Sequence, residues 1–216
     1  MQIKSFIGGF DKNLSYLIWC EKTKLASIID PAVEPLEIFE FIESTDLILE
    51  KILITHTHHD HICYLNDFLD EYPLLNIYCF KNPENNFKNE YIGLDHNQVI
   101  SIGESLLTAL YTPGHFSDSV CYWDKENGAI FTGDTVFIGR TGRTVSPGSN
   151  IKDLYSSIYD TILKISHETM IYPGHHYGFS KKEKISFNVK NSNFFQCNDL
   201  DEFISVMDNF EKNRKK

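Results

Sequence analysis

A dense cluster of imidazole and carboxylate groups interrupts the apolar pattern of this chain. Four of the nine histidines and one aspartate fall within residues 56–61, namely His56, His58, His59, Asp60 and His61. The cluster follows an apolar run at 52–54, which predicts a buried strand, and precedes residues 62–69, whose apolar spacing predicts an amphipathic helix. We therefore expect these side chains at a strand-to-helix turn, either as metal ligands or as a solvated histidine-rich turn.

The ligand chemistry favours metal binding. Imidazole nitrogens and carboxylate oxygens at this spacing suit a divalent transition ion, zinc first, with iron or manganese as alternatives. In an extended segment, side chains two positions apart point the same way, so His56 and His58 can hold one ion. Asp60 and His61 lie beyond the bend and can hold another. The spacing thus indicates two divalent metal ions.

The arrangement His-x-His-x-Asp-His after an apolar strand resembles the metallo-beta-lactamase superfamily, particularly its glyoxalase II-like hydrolases. In that family a single histidine, then an aspartate, then a last histidine follow along the chain. Three segments match in that order, each at the end of an apolar run: Thr112-Pro113-Gly114-His115, Phe131-Thr132-Gly133-Asp134 and Tyr172-Pro173-Gly174-His175. The resemblance covers residues 14–195. It implies an α+β fold, an αββα sandwich of two mixed sheets flanked by helices, with the metal loops at one edge between the sheets.

The resemblance also assigns the metal ligands. The seven expected ligands are His56, His58 and His115 at the first ion, Asp60, His61 and His175 at the second, and Asp134 bridging both. The other histidines are not expected to bind metal. His59 and His176 occupy variable places of their motifs, and His96 and His167 lie in polar surroundings outside any motif.

The expected chemistry is hydrolysis by a metal-activated hydroxide. Two ions about 3.5 to 4 Å apart can share a water and lower its pKa toward roughly 7. The resemblance implies attack of this bridging hydroxide on a small-molecule thioester or related ester, with Asp60 and Asp134 as the catalytic residues. Asp60 is expected to orient the hydroxide. Because a thiolate leaves readily, a thioester needs no strong general acid.

Several other activities share parts of this motif set. The main alternative is a mononuclear non-haem iron persulfide dioxygenase, in which His56, His115 and Asp134 would hold one iron. A lactonase is a further alternative. Phosphodiester cleavage is opposed by the formal net charge of −10 and by the lack of a basic arm. A non-catalytic metal module is disfavoured because structural sites are closed, whereas this ligand set is that of an open site.

The loop after Asp134 brings two arginines near the expected metals. Arg140 or Arg143 is predicted to bind a substrate carboxylate, and bracing of the loop through backbone carbonyls is the alternative. Related hydrolases often read Gly-Arg-Thr-Asp here, but this chain has Val145 where that aspartate would fall. Tyr177 and Asn191 follow the last ligand, where related enzymes contact substrate, and are weaker candidates.

Composition limits the other properties of the chain. Its 216 residues fit a single domain over 1–216, with a short C-terminal helical extension at about 182–216 in place of the longer region of a full glyoxalase II. The lack of an apolar run near 18 residues predicts no membrane span, and the lack of a secretory signal pattern predicts the cytoplasm. The net charge predicts no nucleic-acid partner, and the basic tail at 212–216 is expected to be a solvated end. The five cysteines form no Cys-x-x-Cys pair and are expected to be reduced.

Apolar periodicity predicts the secondary structure. Strands are expected at 3–7, 14–20, 25–29, 49–55, 75–80, 98–102, 105–111, 119–123, 129–132 and 170–172. Helices are expected at 34–44, from 62 to about 72, at 150–165 with Asn150 as N-cap, and near the C-terminus at 200–210. The polar segment 81–97 is expected to be an excursion over the surface.

Overall fold

The computed structural model describes residues 1–84 and 87–214. Asn85 and Asn86 of the polar 81–97 segment, and Lys215 and Lys216 of the basic tail, lie outside the described residues. The strands are β1 (Gln2–Gly8), β2 (Asn13–Trp19), β3 (Leu25–Ile29), β4 (Ile48–Leu53), β5 (Asn76–Phe80), β6 (Ile92–Leu94), β7 (Gln98–Ile102), β8 (Ser105–Tyr111), β9 (Val120–Asp124), β10 (Ala129–Gly133), β11 (Val136–Phe137), β12 (Arg140–Thr141), β13 (Met170–Pro173) and β14 (Glu183–Lys184). The α-helices are α1 (Leu36–Ser44), α2 (His59–Ile62), α3 (Leu65–Glu71), α4 (Ile151–Ser156), α5 (Ile185–Asn191) and α6 (Leu200–Arg214).

Twelve of these strands form two mixed sheets of six strands each. The first sheet has the order β1-β2-β3-β4-β5-β6, antiparallel up to β3 and parallel from β3 to β6. The second has the order β14-β13-β10-β9-β8-β7, in which only β10 and β13 run parallel. Strands β11 and β12 form a separate hairpin.

Three apolar clusters hold the layers together. One lies between the sheets and joins residues such as Tyr16 of β2 to Leu107 of β8. A second packs Ile38 of α1 and the helix after β4 on the outer face of the first sheet. A third packs α4, α5 and α6, with Phe203 fully buried, on the outer face of the second sheet. The predicted αββα sandwich of two mixed sheets flanked by helices is therefore confirmed.

The helix predicted from residue 62 differs from expectation in a way that shapes the site. It begins at His59, so the metal motif itself enters the first helical turn, and it is interrupted between α2 and α3. The interruption has a local cause, because the backbone N–H of Tyr64 donates to the carbonyl of Pro31 at 3.0 Å instead of bonding within the helix. The turn before this break is short and carries two predicted ligands.

The helix predicted at 150–165 has the expected start but an irregular course. The Asn150 side chain accepts hydrogen bonds from the backbone N–H groups of Lys152 and Asp153, as an N-cap should. The α-helix ends at Ser156 and continues as a π-helical turn to residue 161 and a 3-10 turn to 164. At Ser157 the hydroxyl donates to the carbonyl of Pro113 at 2.6 Å, tying this helix to the loop before His115.

Several short elements were not predicted. Strand β6 lies inside the polar segment 81–97, where it pairs in parallel with β5, and the β11–β12 hairpin and β14 are also additional. Helix α5 lies within the segment 182–216, where a helical extension was expected. Helix α5 carries Asn188, whose side chain donates to the carbonyl of Phe137 and accepts from the N–H of Gly139. This buried polar contact fixes the loop that follows Asp134. In the part of the chain that is described, no helix has the length and apolar character needed to cross a bilayer.

Candidate metal centre

Four connections carry the predicted ligands, and each leaves the carboxyl end of a strand. The ligands are His56, His58, Asp60 and His61 after β4, His115 after β8, Asp134 after β10 and His175 after β13. Strand β4 belongs to the first sheet and the other three strands to the second. All seven side chains meet where the two sheets approach each other at one edge of the sandwich.

Three imidazoles converge to form a first group. Nδ1 of His58 lies 3.0 Å from Nε2 of His56 and 3.1 Å from Nε2 of His115. Only one nitrogen of each facing pair can carry a proton, so the group presents lone pairs to a common centre. These ligand atoms lie within 4.8 Å of one another, a geometry that could hold one ion.

A second group forms around Asp60. Its Oδ2 lies 3.2 Å from Nε2 of His175 and 3.7 Å from Nε2 of His61. The two imidazole nitrogens are 3.3 Å apart. This set of one carboxylate and two imidazoles could hold a further ion.

The carboxylate of Asp134 lies between the two groups. Its Oδ1 is 3.2 Å from Nε2 of His61, and its Oδ2 is 3.5 Å from Nε2 of His115 and 3.4 Å from Nε2 of His175. Asp134 therefore reaches ligand atoms of both groups, the position that a bridging ligand requires. Its role as a bridging ligand stays a prediction.

The donor set fits divalent ions of the zinc type. Imidazole nitrogens and carboxylate oxygens are the borderline and hard ligands that such ions take. Oδ1 of Asp134 is buried and, although close to His61, makes no well-formed hydrogen bond among the described residues. Bound ions would satisfy this oxygen together with the facing imidazole lone pairs.

A buried aspartate that sequence reasoning missed orients two of the histidines. Asp30, at the end of β3, accepts hydrogen bonds from Nδ1 of His61 at 2.8 Å and from the hydroxyl of Thr55 at 2.6 Å. Because the Thr55 hydroxyl donates to Asp30, it accepts from Nδ1 of His56 at 3.1 Å. Both imidazoles are thereby held with Nε2 free to bind metal. The sequence signal that could have identified Asp30 was its position at the end of β3, the strand that pairs with β4.

Backbone carbonyls orient the remaining ring nitrogens. Nδ1 of His175 donates to the carbonyl of Asp11 at 2.9 Å, and Nδ1 of His115 donates to the carbonyl of Arg143 at 2.9 Å. These partners set the tautomer and ring direction of each histidine. Every residue type has a backbone carbonyl, so the sequence could not identify these acceptors.

Two further buried polar side chains hold the metal loops. Asn13 donates to Oδ2 of Asp60 at 3.0 Å and to its backbone carbonyl at 3.3 Å. Asp118 accepts from the hydroxyl of Thr57 and, at 2.9 Å, from the backbone N–H of Glu84. Neither residue was predicted. Together they fix the extended segment that places His56 and His58 on one side.

The two groups differ in their affinity for protons. Burial, together with His115, lowers the pKa of His58 to about 4, and burial with His61 lowers the pKa of His56 well below its usual range. Burial also opposes charge on His61 and His175, but Asp134 outweighs it and raises the pKa of His175 to about 9. Asp134 and Asp30 together raise the pKa of His61 well above its usual range. At neutral pH His56 and His58 are therefore neutral and His175 is protonated in the ion-free protein.

One cavity opens onto both groups and contains most of the predicted substrate residues. Arg140, Arg143 and Tyr177 line it beside the ligands. Asn191 does not line it; this residue faces a neighbouring cavity between α5 and α6, and its amide donates to the carbonyl of Phe187. Asn191 is therefore the one predicted substrate residue that the fold does not bring to the metal centre.

Comparison with known proteins agrees with this geometry. Residues 8–175 match the Metallo-beta-lactamase superfamily. A probable hydroxyacylglutathione hydrolase of Schizosaccharomyces pombe is 32% identical, over 94% of this chain and 77% of its own. The probable polyketide biosynthesis zinc-dependent hydrolase BaeB of Bacillus velezensis is 28% identical, over 94% of this chain and 89% of its own.

Among solved structures, ETHE1 from Myxococcus xanthus is similar, with a TM-score of 0.87 and 26% identity. The likeness covers 97% of this chain and 91% of that one. The family match spans every loop that carries a predicted ligand, and the similarity to glyoxalase II-like hydrolases that the motifs predicted is confirmed. The chain therefore belongs to the metallo-beta-lactamase superfamily.

Proposed function

We propose that this protein is a dinuclear metal-dependent hydrolase that cleaves a thioester, or a related ester, of a small molecule. The observation that carries the proposal is the position of Asp134, whose two carboxylate oxygens reach imidazoles of both ligand groups. The similarity to a probable hydroxyacylglutathione hydrolase supports the thioester. The similarity to a probable zinc-dependent hydrolase supports zinc as the metal.

His56, His58 and His115 would hold one ion, Asp60, His61 and His175 the other, and Asp134 both. Two such ions, when bound, supply a hydroxide at neutral pH and Lewis-acid stabilisation of a developing oxyanion. The protein's own contribution is to fix the direction of each ligand. Asp30, Asp11 and Arg143 do so through their hydrogen bonds to Nδ1 of three histidines.

Asp60 combines ligand binding with orientation of the attacking water. Burial opposes its charge, but the hydrogen bond from His175 lowers the pKa of Asp60 and keeps it ionised at neutral pH. Asn13 fixes one carboxylate oxygen, and the side chain is partly exposed to the cavity. An ionised carboxylate held in this way can accept a hydrogen bond from water and direct its lone pair at a substrate carbonyl.

A mononuclear iron persulfide dioxygenase is the second candidate. Such an enzyme needs two histidines and one carboxylate, and His56, His115 and Asp134 could supply them. The observation that supports this candidate is the similarity to ETHE1 over nearly the whole chain. The hydrolase is preferred because Asp60, His61 and His175 also converge, which a single iron does not require.

Metal analysis together with a substrate panel tests the two candidates. The purified protein is assayed for zinc, iron and manganese, and for turnover of S-lactoylglutathione, a lactone and glutathione persulfide. We expect two zinc-type ions per chain and hydrolysis of the thioester. One iron per chain, with oxygen consumption on the persulfide and no thioester hydrolysis, would establish the dioxygenase instead.

A further inference from the structure

The arginines of this chain are concentrated at one place. The sequence contains only three, Arg140, Arg143 and Arg214, although lysines are frequent. All three line the cavity that opens onto the metal centre. Arginine differs from lysine in presenting a planar fork of donors that matches carboxylate and phosphate groups. This distribution points to recognition of an anion beside the reacting centre.

Arg143 is already neutralised. Its Nε and one terminal nitrogen donate to the two carboxylate oxygens of Glu211, each at 2.6 Å. This bidentate pair joins the loop after Asp134 to α6 and occupies the guanidinium edge formed by Nε and one terminal nitrogen. The side chain of Arg143 therefore braces the loop and the C-terminal helix.

Arg140 is unpaired. It makes no side-chain hydrogen bond or ion pair among the described residues, and its buried Nε lacks an acceptor. The guanidinium instead stacks over Tyr177, with Cζ 4.0 Å from the ring centroid, and lies near the rings of Phe137 and Phe210. Aromatic stacking holds the plane of the guanidinium at a position where Arg140 lines the cavity.

A second cation, Arg214, lies on α6, the helix whose Glu211 pairs with Arg143. Glu211 and Arg214 are three residues apart on α6 and so lie on the same side of the helix. Arg214 lines the same cavity as Arg140. Burial and, to a smaller extent, the nearby Arg214 lower the pKa of Arg140, whereas Tyr177, Asp134 and Asp11 favour its charge. Asp11, Asp60 and Asp134 line the cavity as well, but among the described residues no carboxylate forms an ion pair with Arg140 or Arg214.

We propose that Arg140, assisted by Arg214, binds an anionic group of the substrate, so that the substrate is an acidic thioester. This inference rests on the proposed hydrolase function and names the class of its substrate. The shared chemistry is a carboxylate, carried either by the acyl part or by the thiol part. Arg140 is the principal contact because its orientation is fixed by Tyr177, whereas Arg214 is exposed on the last turn of α6.

Two matched pairs of thioesters test the proposal and separate the two sources of charge. For the acyl part, the succinyl and butyryl thioesters of N-acetylcysteamine are compared. For the thiol part, S-lactoylglutathione is compared with its diethyl ester. We expect kcat/KM of the wild-type protein to favour the charged member of one pair, and Arg140→Met to reduce that preference on the order of 10- to 100-fold.

Two further variants distinguish anion binding from loop bracing. Arg140→Lys keeps the charge but not the fork, so we expect it to restore part of the preference. Lys212→Met removes an exposed cation of α6 outside the cavity lining and should leave the preference unchanged. Equal kcat/KM for both members of both pairs in the wild-type protein would overturn the proposal, as would an equal loss on charged and neutral substrates in Arg140→Met.

Binding to the metal-free protein separates this proposal from the proposed function. Because the chelated protein should not turn over the thioester, titration calorimetry can measure binding of the intact charged and neutral members. Tighter binding of a charged member by the wild-type protein than by Arg140→Met supports the anion site even if the loaded protein hydrolyses no thioester. Equal binding by the two proteins overturns the anion site even if thioesters are hydrolysed.

Discussion

Nδ1 of His61 donates a hydrogen bond of 2.8 Å to Oδ2 of Asp30, a fully buried carboxylate at the end of a strand that carries no metal ligand. We predict that Asp30→Asn weakens binding of at least one ion by roughly 10- to 100-fold, the usual effect of removing an outer partner of a metal ligand. Metal titration of the chelated protein measures this affinity. Asp124→Asn is the control, because Asp124 is equally buried but serves a turn through Asn127.

Loss of metal affinity in Asp30→Asn but not in Asp124→Asn would tie the effect to the contact with His61. An equal loss in both would mean that a buried charge matters only for folding. Thermal unfolding of the two chelated variants separates these cases, since it reports stability without the contribution of bound metal.

A second prediction concerns the approach of the last metal loop to Asp134. A Cβ at Gly174 would lie 2.5 Å from Oδ1 of Asp134 and 2.7 Å from Cε1 of His61. We therefore expect Gly174→Ala to displace one of these ligands and to reduce the metal content of the folded protein below two ions. The measurement is metal analysis by mass spectrometry.

Gly128→Ala is the matched control for this change. Gly128 has φ of +63° but no atom within 4 Å of the added Cβ, so its substitution strains the backbone without touching the site. Full metal content in Gly174→Ala would contradict the close approach between this loop and Asp134.

The bridging position of Asp134 leads to a third prediction. Asp134→Ala should lose both ions or hold them only weakly, and His58→Ala should abolish hydrolysis by removing a donor of the first group. His59→Ala should keep both ions and normal turnover, because His59 is exposed and outside the converging groups. Two retained ions with near-normal turnover in Asp134→Ala would refute the bridging assignment.

Metal loading is expected to depend on pH. In the ion-free protein the pKa of His175 is raised to about 9, since Asp134 outweighs the effect of burial. Imidazole must be neutral to bind metal, so an ion entering the second group below pH 9 displaces protons, and its affinity falls as the pH is lowered. Calorimetry in two buffers of different ionisation enthalpy measures the released protons. Proton release that is the same in His175→Ala as in the wild-type protein would contradict this prediction.

Much of the fold and the convergence of the site follow from local patterns. Apolar runs that end in His, Asp or Gly-His segments marked the strands and their ligand-bearing ends. The Asn150 cap was predictable because an asparagine side chain satisfies free backbone N–H groups at a helix start. Resemblance to a family supplied the order of the ligands, which spacing alone left open beyond residue 61.

Contacts between distant segments were not predictable from the sequence. The sequence indicated only that Asp30 ends a strand. The parallel pairing of β3 with β4 places Asp30 beside Thr55 and His61. The Arg143–Glu211 pair joins residues 68 positions apart. Elements of two or three residues, such as β6 and β14, are too short to show a period.

The metal content of His175→Ala, measured together with its turnover of S-lactoylglutathione, tests the central claim most directly. His175 contacts Asp60 and Asp134 and contributes only to the second ligand group. The dinuclear hydrolase predicts two ions in the wild-type protein, one in the folded variant, and a fall in turnover by orders of magnitude. Unchanged metal content of one iron in the folded variant, with a loss of only about 10- to 100-fold in activity, would contradict the dinuclear assignment and favour the dioxygenase.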